Sequence, residues 1–369
     1  MKLKSFLQFF GILAITLTIV PFIAVDYWWI RVFDFPHIQL TILTLVAILA
    51  YLIRFDVKWF KDYVFISLLI GCFIFQLYKI YPYTPFGEKD ILAAVDHKPE
   101  DNLKVLISNV LQKNKESELL IEEVKAKDPD ILLLCEVNQR WLDDVRSVTS
   151  QYEYKLEEPL DNTYGMALYS NFPLEDSQIR FMVDDSIPSM HTVATLRSGK
   201  KIQIHAIHPT PPMPQHNPTS TDRDAEMMIT AFMTLDRDKP TMVIGDFNDV
   251  AWSNTTKLFK EVSRTLDVRY GRGFFNTFNA NNFLLRWPLD HIFISEEFRA
   301  VDVQRGNDVG SDHFPSYAEL SLEPQNAAAQ MPEEPSEQSL ENAREQMKRM
   351  SERAKIQDLF ESLQDRLHQ

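Results

Sequence analysis

Residues 102–136 read NLKVLISNVLQKNKESELLIEEVKAKDPDILLLCE. Asn102–Ser108 is an apolar run of strand length that ends at the polar Asn109. Ser117–Lys127 has helical periodicity, and Asp128-Pro129-Asp130 stops it, because proline removes an amide donor and restricts the residue before it. Ile131–Cys135 carries no charged or strongly polar side chain, as expected of a strand covered on both faces, and Glu136 follows at its carboxyl end. Strand, helix and buried strand in quick succession predict an α/β domain.

Further along, strands are expected at Gly165–Tyr169, Thr192–Leu196, Lys201–His205, Met242–Ile244, His291–Ile294 and Phe314–Leu320, with a helix at Asp222–Leu235. The early alternation gives way to strands, which predicts a two-sheet α/β sandwich over residues 102–322. Asn109, Glu136, His208, Asp246, Asn248, Asp290, Asp312 and His313 each follow or flank one of these strands. Carboxylates and amides at strand ends can converge on one edge of a sheet. Such an oxygen-rich site suits Mg2+ or Mn2+. Cys72 and Cys135 are the only cysteines, and neither has a zinc-type spacing.

Upstream, Ser5–Val25 contains no charged residue, and further apolar runs lie at Ile38–Ile53 and Tyr63–Ile80. Three such runs predict three transmembrane helices within residues 1–82, with 83–101 as a linker. Lys2 and Lys4 precede the first run and Arg54, Lys58 and Lys61 lie between the second and third, whereas the first loop offers only Arg31. The positive-inside rule then puts the folded domain outside the cytoplasm, as a multi-pass protein of the inner (cell) membrane.

Downstream, residues 323–340 are rich in Ala, Gln, Glu and Pro and read as a disordered linker. Residues 341–369 carry Met347, Met350, Ile356, Leu359, Phe360, Leu363 and Leu367, partly at helical spacing. They are expected to form a charged amphipathic helical tail that can lie on a surface or hold a protein partner. The chain's net charge is −14. The membrane region is about +3 and the tail about −4, which leaves about −13 on the middle domain. Duplex nucleic acid is held largely through Lys and Arg, so an acidic domain disfavours it.

One ordered set of motifs goes further: Ser108-Asn109-Val110, Leu134-Cys135-Glu136, YGMALYS from Tyr164, Ile207-His208-Pro209, Gly245-Asp246-Phe247-Asn248, Leu289-Asp290-His291-Ile292-Phe293 and Gly310-Ser311-Asp312-His313-Phe314-Pro315. Singly these have ordinary explanations; Gly, Asp and Asn, for example, favour turns. In this order, over roughly 100–322, the chain resembles the endonuclease/exonuclease/phosphatase superfamily. The resemblance implies a metal-dependent phosphoester hydrolase of the phosphatase, phosphodiesterase or nuclease kind. It implies Glu136 as a metal ligand with Asn109 beside it and Asp312 nearby. His313, oriented by Asp290 or Asp312, is implied as general base, Asp246 as the residue that positions water, Asn248 as a phosphate contact, and His208 as a donor to the phosphoryl group. The division of roles among the three aspartates stays open. Tyr164, Arg286 and Trp287 are further candidates for substrate contact.

Tethering to a bilayer and an acidic domain together favour a lipid-linked phosphate or phosphodiester substrate. An extracytoplasmic nuclease or nucleotide phosphohydrolase is the second expectation. A non-catalytic membrane scaffold is the third, although Glu136, Asp246 and His313 are all present.

Overall fold

A computed structural model describes residues 2–23, 26–96, 98–213 and 217–351. Its N-terminal part is a helical bundle of α1 (Lys2–Ile19), the one-turn α2 (Trp28–Arg31), α3 (His37–Leu52) and α4 (Phe60–Ile80). Leu7, Ala14, Ala47, Tyr51 and Leu69 fill its interior. The outer faces are apolar as well, with Phe6, Phe9, Ile42, Leu49, Leu68 and Ile74 exposed. Helices that are apolar on every side need an apolar surrounding. Leu3–Phe22 and Phe60–Tyr83 are each long and apolar enough to cross a membrane.

The third expected run behaves differently. α3 has 16 residues, about 24 Å at 1.5 Å per residue, which is short of a hydrocarbon core. It reaches spanning length only together with Trp28–Asp34, from which it is bent by 68°. Pro36, the residue that precedes α3, stands at the break.

The rest of the described chain is a sandwich of twelve strands: β1 (Asn102–Asn109), β2 (Ile131–Cys135), β3 (Tyr154–Glu158), β4 (Met166–Ser170), β5 (Leu174–Arg180), β6 (Ser189–Thr195), β7 (Lys201–Ile207), β8 (Thr241–Asp246), β9 (Leu266–Asp267), β10 (Asp290–Ile294), β11 (Phe298–Arg305) and β12 (Ser316–Leu322). Its helices are α5 (Ser117–Lys127), α6 (Gln139–Asp144), α7 (Arg146–Thr149), α8 (Thr221–Leu235) and α9 (Asn254–Ser263). The strand orders are β11-β12-β1-β2-β4-β3 and β5-β6-β7-β8-β10-β9. Ile107, Leu133 and Leu168 of one sheet meet Ile204, Met242 and Ile292 of the other between the layers. The opposite face of β1 and β2 (Leu106, Leu132, Leu134) packs under α5 and α6, and that of β8 and β10 (Val243, Phe293) under α8 and α9. Both faces of the central strands are therefore buried, which is why ILLLC needs no polar residue.

The two segments expected as linkers are packed. In 83–101, Ile91 is fully buried in the sandwich core, and the Ala94 amide donates to the Ala300 carbonyl. In 323–340, expected to be disordered, Pro324–Gln330 forms a 3-10 helix. The Gln330 amide donates to the carbonyls of Glu296 and Phe298, while its oxygen accepts from Arg299 and from the Leu92 amide. A polar composition does not prevent order where the side chains satisfy backbone groups of a sheet edge. The chain is helical again over 337–351, where Leu340, Ala343 and Met347 pack against Met228, Phe232 and Leu258. Ile356, Leu359, Phe360, Leu363 and Leu367 lie outside the described residues.

The sandwich rests on the end of the bundle away from Lys4, Tyr51 and Asp62, which are tied to one another. Ile80 and Tyr83 pack with Val250, Ala251, Trp252 and Leu289. The Trp252 indole N–H donates to the Asp34 carbonyl at 2.8 Å.

Candidate active site

The parallel register of β1 and β2 pairs Asn109 with Cys135 and so brings Asn109 beside Glu136. The antiparallel register of β8 and β10 places Asp246 opposite Asp290. These four residues meet where the two sheets come together at one edge. The Asn109 amide donates to Glu136 Oε1 and to Asp246 Oδ2, both at 3.0 Å, and so joins the sheets. Gly245 has φ +144, and a Cβ there would stand 1.9 Å from the Ile207 carbonyl oxygen, so only glycine lets β8 approach β7 before Asp246. Glu136 and Asn248 both hold left-handed backbones, at φ 64 and 50. Such conformations in non-glycine residues concentrate at functional sites.

Asp246 is the hub. Its Oδ2 lies 3.6 Å from His313 Nε2 and 3.8 Å from His208 Nε2, and its Oδ1 accepts from the Asn248 amide at 3.0 Å. His313 Nδ1 is 2.8 Å from Asp290 Oδ2. All four side chains are buried. Burial alone would lower the His313 pKa, but Asp290 and Asp246 outweigh it and hold it up at about 10. The imidazole is thus kept in its protonated, donor form at neutral pH. Burial, reinforced by Asp290, raises the Asp246 pKa against the pull of His313 and His208.

The surrounding chain fixes this arrangement. Ser311 donates to the Asn109 carbonyl at 2.7 Å and accepts from the His313 amide at 3.0 Å. The Phe278 ring lies 4.9 Å from that of His313. Asn248 donates to the Pro209 carbonyl, and its own carbonyl accepts from Arg223 at 3.0 Å. A cleft of about 760 Å³ is lined by Glu136, Tyr164, His208 and Asn248, together with Asp184, Asp222 and Met350. The Tyr164 ring stands 5.4 Å from that of His208. Burial and the nearby Glu136 push the Tyr164 hydroxyl up to about 12, so it stays a neutral donor.

Asn109, Glu136, His208, Asp246, Asn248, Asp290, Asp312 and His313 are therefore brought together, and Tyr164 joins them on the cleft wall. Arg286 and Trp287 are not on that wall. Arg286 donates to the carbonyls of Asn279 and Ala280 and lies over the Phe314 ring, while Trp287 packs edge-on against Phe35. Trp287 thus faces the bundle, and Arg286 is held by its own loop and by Phe314. Arg223, Ser311 and Thr277, whose hydroxyl accepts from the Asp290 amide, are supports that sequence reasoning missed. Arg223 had one usable signal, a charged residue on the inward face of an amphipathic helix.

Glu136 and Asp312 fit a divalent cation. Asp312 Oδ1 is buried with no hydrogen-bond partner, and burial together with the nearby Glu136 raises the Asp312 pKa. An oxygen-only set with an orphaned carboxylate oxygen suits Mg2+ or Mn2+. Asp246, Asp290 and His313 also bring ligand atoms within 4.8 Å of one another. There, however, His313 Nδ1 already engages Asp290, and a cation would have to compete with that bond.

Residues 102–313 match the sequence model described as the Endonuclease/Exonuclease/phosphatase family, which covers more than half of the chain. No curated protein matches the chain in sequence. Among solved structures, D. rerio TDP2 complexed with a single-strand DNA product superposes with a TM-score of 0.51 at 16% identity, over 60% of this chain and 99% of that one. A humanized D. rerio TDP2 gives 0.51 at 15% identity, over 60% and 100%. The human Nocturnin catalytic domain with bound sulfate gives 0.49 at 19% identity, over 62% and 96%. For the two TDP2 structures, at these identities, the likeness is one of fold.

Proposed function

The chain belongs to the Endonuclease/Exonuclease/phosphatase family, and from that premise we propose that it is a membrane-held, divalent-metal-dependent hydrolase of lipid-linked phosphate esters or phosphodiesters, acting outside the cytoplasm. Family membership supports phosphoester hydrolysis. One observation carries the choice of a membrane substrate: the loop that begins at Asp246 and Asn248 continues into Val250, Ala251 and Trp252, which pack directly on the ends of the apolar helices. The catalytic edge and the bundle are thereby held side by side. The acidic domain supports the same choice over nucleic acid.

Glu136 and Asp312, with Asn109 beside them, would hold the cation, which supplies charge neutralisation for phosphate oxygens when bound. Asp246 is the group positioned to orient the attacking water and take its proton. Burial raises its basicity, and Asn109 and Asn248 fix both of its oxygens. His313, kept protonated by Asp290, offers a charged N–H to a non-bridging phosphate oxygen. This assignment differs from the base role that the resemblance implies for His313, and its physical reason is the pair of carboxylates flanking the imidazole. Asn248 adds a phosphate contact, and His208 and Tyr164 stand where they can donate to the phosphoryl group or the leaving oxygen.

Orientation is read from charge. The bundle end opposite the sandwich carries Lys4, and by sequence Arg54, Lys58 and Lys61, which supports a cytoplasmic placement of that end. A substrate panel tests the function. Full-length protein with Mg2+ is offered a lipid phosphate, a phospholipid diester, nucleotides and single- and double-stranded DNA. Turnover of a lipid supports the proposal; turnover confined to DNA or nucleotides replaces it with the nuclease reading.

A further inference from the structure

Residues 279–286 leave the catalytic core as an excursion between Phe278 and Trp287, whose backbones bridge to each other. The base of the excursion is bonded to the centre of the site. Phe278 also bridges to His313, and the Ala280 amide donates to the Asp312 carbonyl at 2.7 Å. The tip has the opposite chemistry. Phe283, Leu284 and Leu285 are 87%, 71% and 48% exposed. Their conformation is held, because the Asn282 side chain accepts from the amides of both Leu284 and Leu285. Three consecutive large apolar side chains presented on a fixed turn mark a contact surface.

The position of the tip identifies what it contacts. The Leu284 carbonyl accepts from the Gln39 side chain at 2.7 Å, in the first turn of α3. Trp287, at the base, packs on Phe35, which immediately precedes Pro36 and α3. The exposed tip is therefore continuous with the end of the apolar bundle, where Phe22, Trp28 and Trp29 are exposed too. Aromatic side chains at helix ends are what a membrane–water interface accommodates.

We propose that Phe283–Leu285 inserts into the lipid bilayer at the boundary between headgroups and acyl chains, as a fixed apolar finger that holds Asp312 and His313 at headgroup level. The proposal rests on the membrane reading above and deepens it. The finger sets how far the site stands from the lipid surface, so it acts on lipid-borne substrates and leaves soluble ones untouched.

The test uses full-length protein with Cys72→Ala, Cys135 being buried in the core, reconstituted in phosphatidylcholine–phosphatidylglycerol nanodiscs. Leu284→Cys carries a bimane probe, and the nanodiscs carry phosphatidylcholine with a doxyl group on the upper acyl chain. Ser198→Cys is the comparison site, since its amide bonds to Glu100 before β1, at the opposite end of the sheet from Asn109. Insertion predicts quenching of the Leu284 probe by about twofold or more and none at Ser198. An unquenched Leu284 probe overturns the proposal, including the case of a blue-shifted but lipid-independent emission, which marks a second protein chain on the finger. A second arm compares Phe283→Ser/Leu284→Ser/Leu285→Ser with wild type. The triple variant is expected to lose about tenfold on vesicle-borne phosphate ester while keeping turnover of bis(p-nitrophenyl) phosphate. Equal loss on both substrates overturns the finger's role. If wild type cleaves no lipid at all, the lipid-substrate reading fails by itself, and the quenching result alone decides insertion.

Discussion

Asp246 and Asp290 stand directly opposite each other on β8 and β10, and both carboxylates converge on one imidazole, with Asp290 Oδ2 at 2.8 Å from His313 Nδ1 and Asp246 Oδ2 at 3.6 Å from Nε2. Two carboxylates, one facing each ring nitrogen of a buried histidine, keep it charged and fix its orientation. Their roles separate by geometry: Asp290 is spent on the histidine, whereas Asp246 still faces Asn109, His208 and the cleft.

Asp290→Asn should therefore act through His313. It is expected to cost on the order of 10²-fold in kcat with little change in KM, because the ring loses its orienting carboxylate. Asp290→Asn/His313→Ala should then be scarcely slower than His313→Ala alone, since residues that act as a unit are not additive. Steady-state kinetics on the single and double variants checks this. Additive losses would separate the two residues.

Chelation gives a second outcome. EDTA should abolish turnover, and Mg2+ or Mn2+ should restore it. Glu136→Gln and Asp312→Asn should each raise the metal concentration needed for half-maximal rate by about tenfold or more. Gln112→Ala, which removes no carboxylate and leaves the backbone amide bonded to Glu136 in place, should leave that concentration nearly unchanged. Metal titrations of the activity check both statements.

Glu226 predicts a pH dependence of stability. It lies on α8, is 2% exposed, and one of its oxygens has no partner. Burial, with Asp222 and Asp184 adding to it, raises its pKa from 4.5 to about 8. A carboxyl with a raised folded-state pKa binds its proton more tightly when folded than when unfolded. Stability is therefore fully present below pH 4.5 and declines as pH rises from 4.5 towards 8, where the folded state ionises too. Glu226→Gln should flatten this decline and raise the unfolding temperature at pH 8 but not at pH 4. Thermal unfolding in detergent at the two values checks the sign, with up to a few kcal/mol at stake.

The junction with the bundle gives a fourth outcome. Trp252 is fully buried and donates to the Asp34 carbonyl. Trp252→Ala should cost about 3–5 kcal/mol in unfolding free energy, whereas Trp252→Phe, which keeps most of the packing, should cost about 1 kcal/mol. Because residue 252 ends the loop that starts at Asp246, the alanine variant should also lose activity below its unfolding temperature.

What the sequence disclosed follows from burial. ILLLC and its neighbours announce themselves because strands covered on both faces leave no room for polar residues. Three of the described strands that escaped notice are polar edges: Tyr154–Glu158 and Leu174–Arg180 show intermediate or exposed side chains throughout, and Phe298–Arg305 is buried only over its first residues; the fourth, Leu266–Asp267, is buried but only two residues long. The site was legible because its residues occupy strand ends, where one register brings Asn109 to Glu136 and another brings Asp246 to Asp290. Arg286 and Trp287 lie off the cleft wall, since adjacency to Asp290 says nothing about which way a loop turns. Pro324–Gln330 misled in the opposite sense, as its order comes from the Gln330 amide meeting carbonyls that are remote in sequence.

The most direct test of the account is headgroup or phosphate release from phospholipid vesicles carrying the full-length protein and Mg2+, with wild type beside Asp246→Asn. The account predicts turnover of vesicle lipid by the wild type and a loss on the order of 10³-fold in the variant, with its unfolding temperature checked alongside. Lipid turnover that survives Asp246→Asn, or a wild type that hydrolyses DNA while leaving the lipid intact, would contradict it.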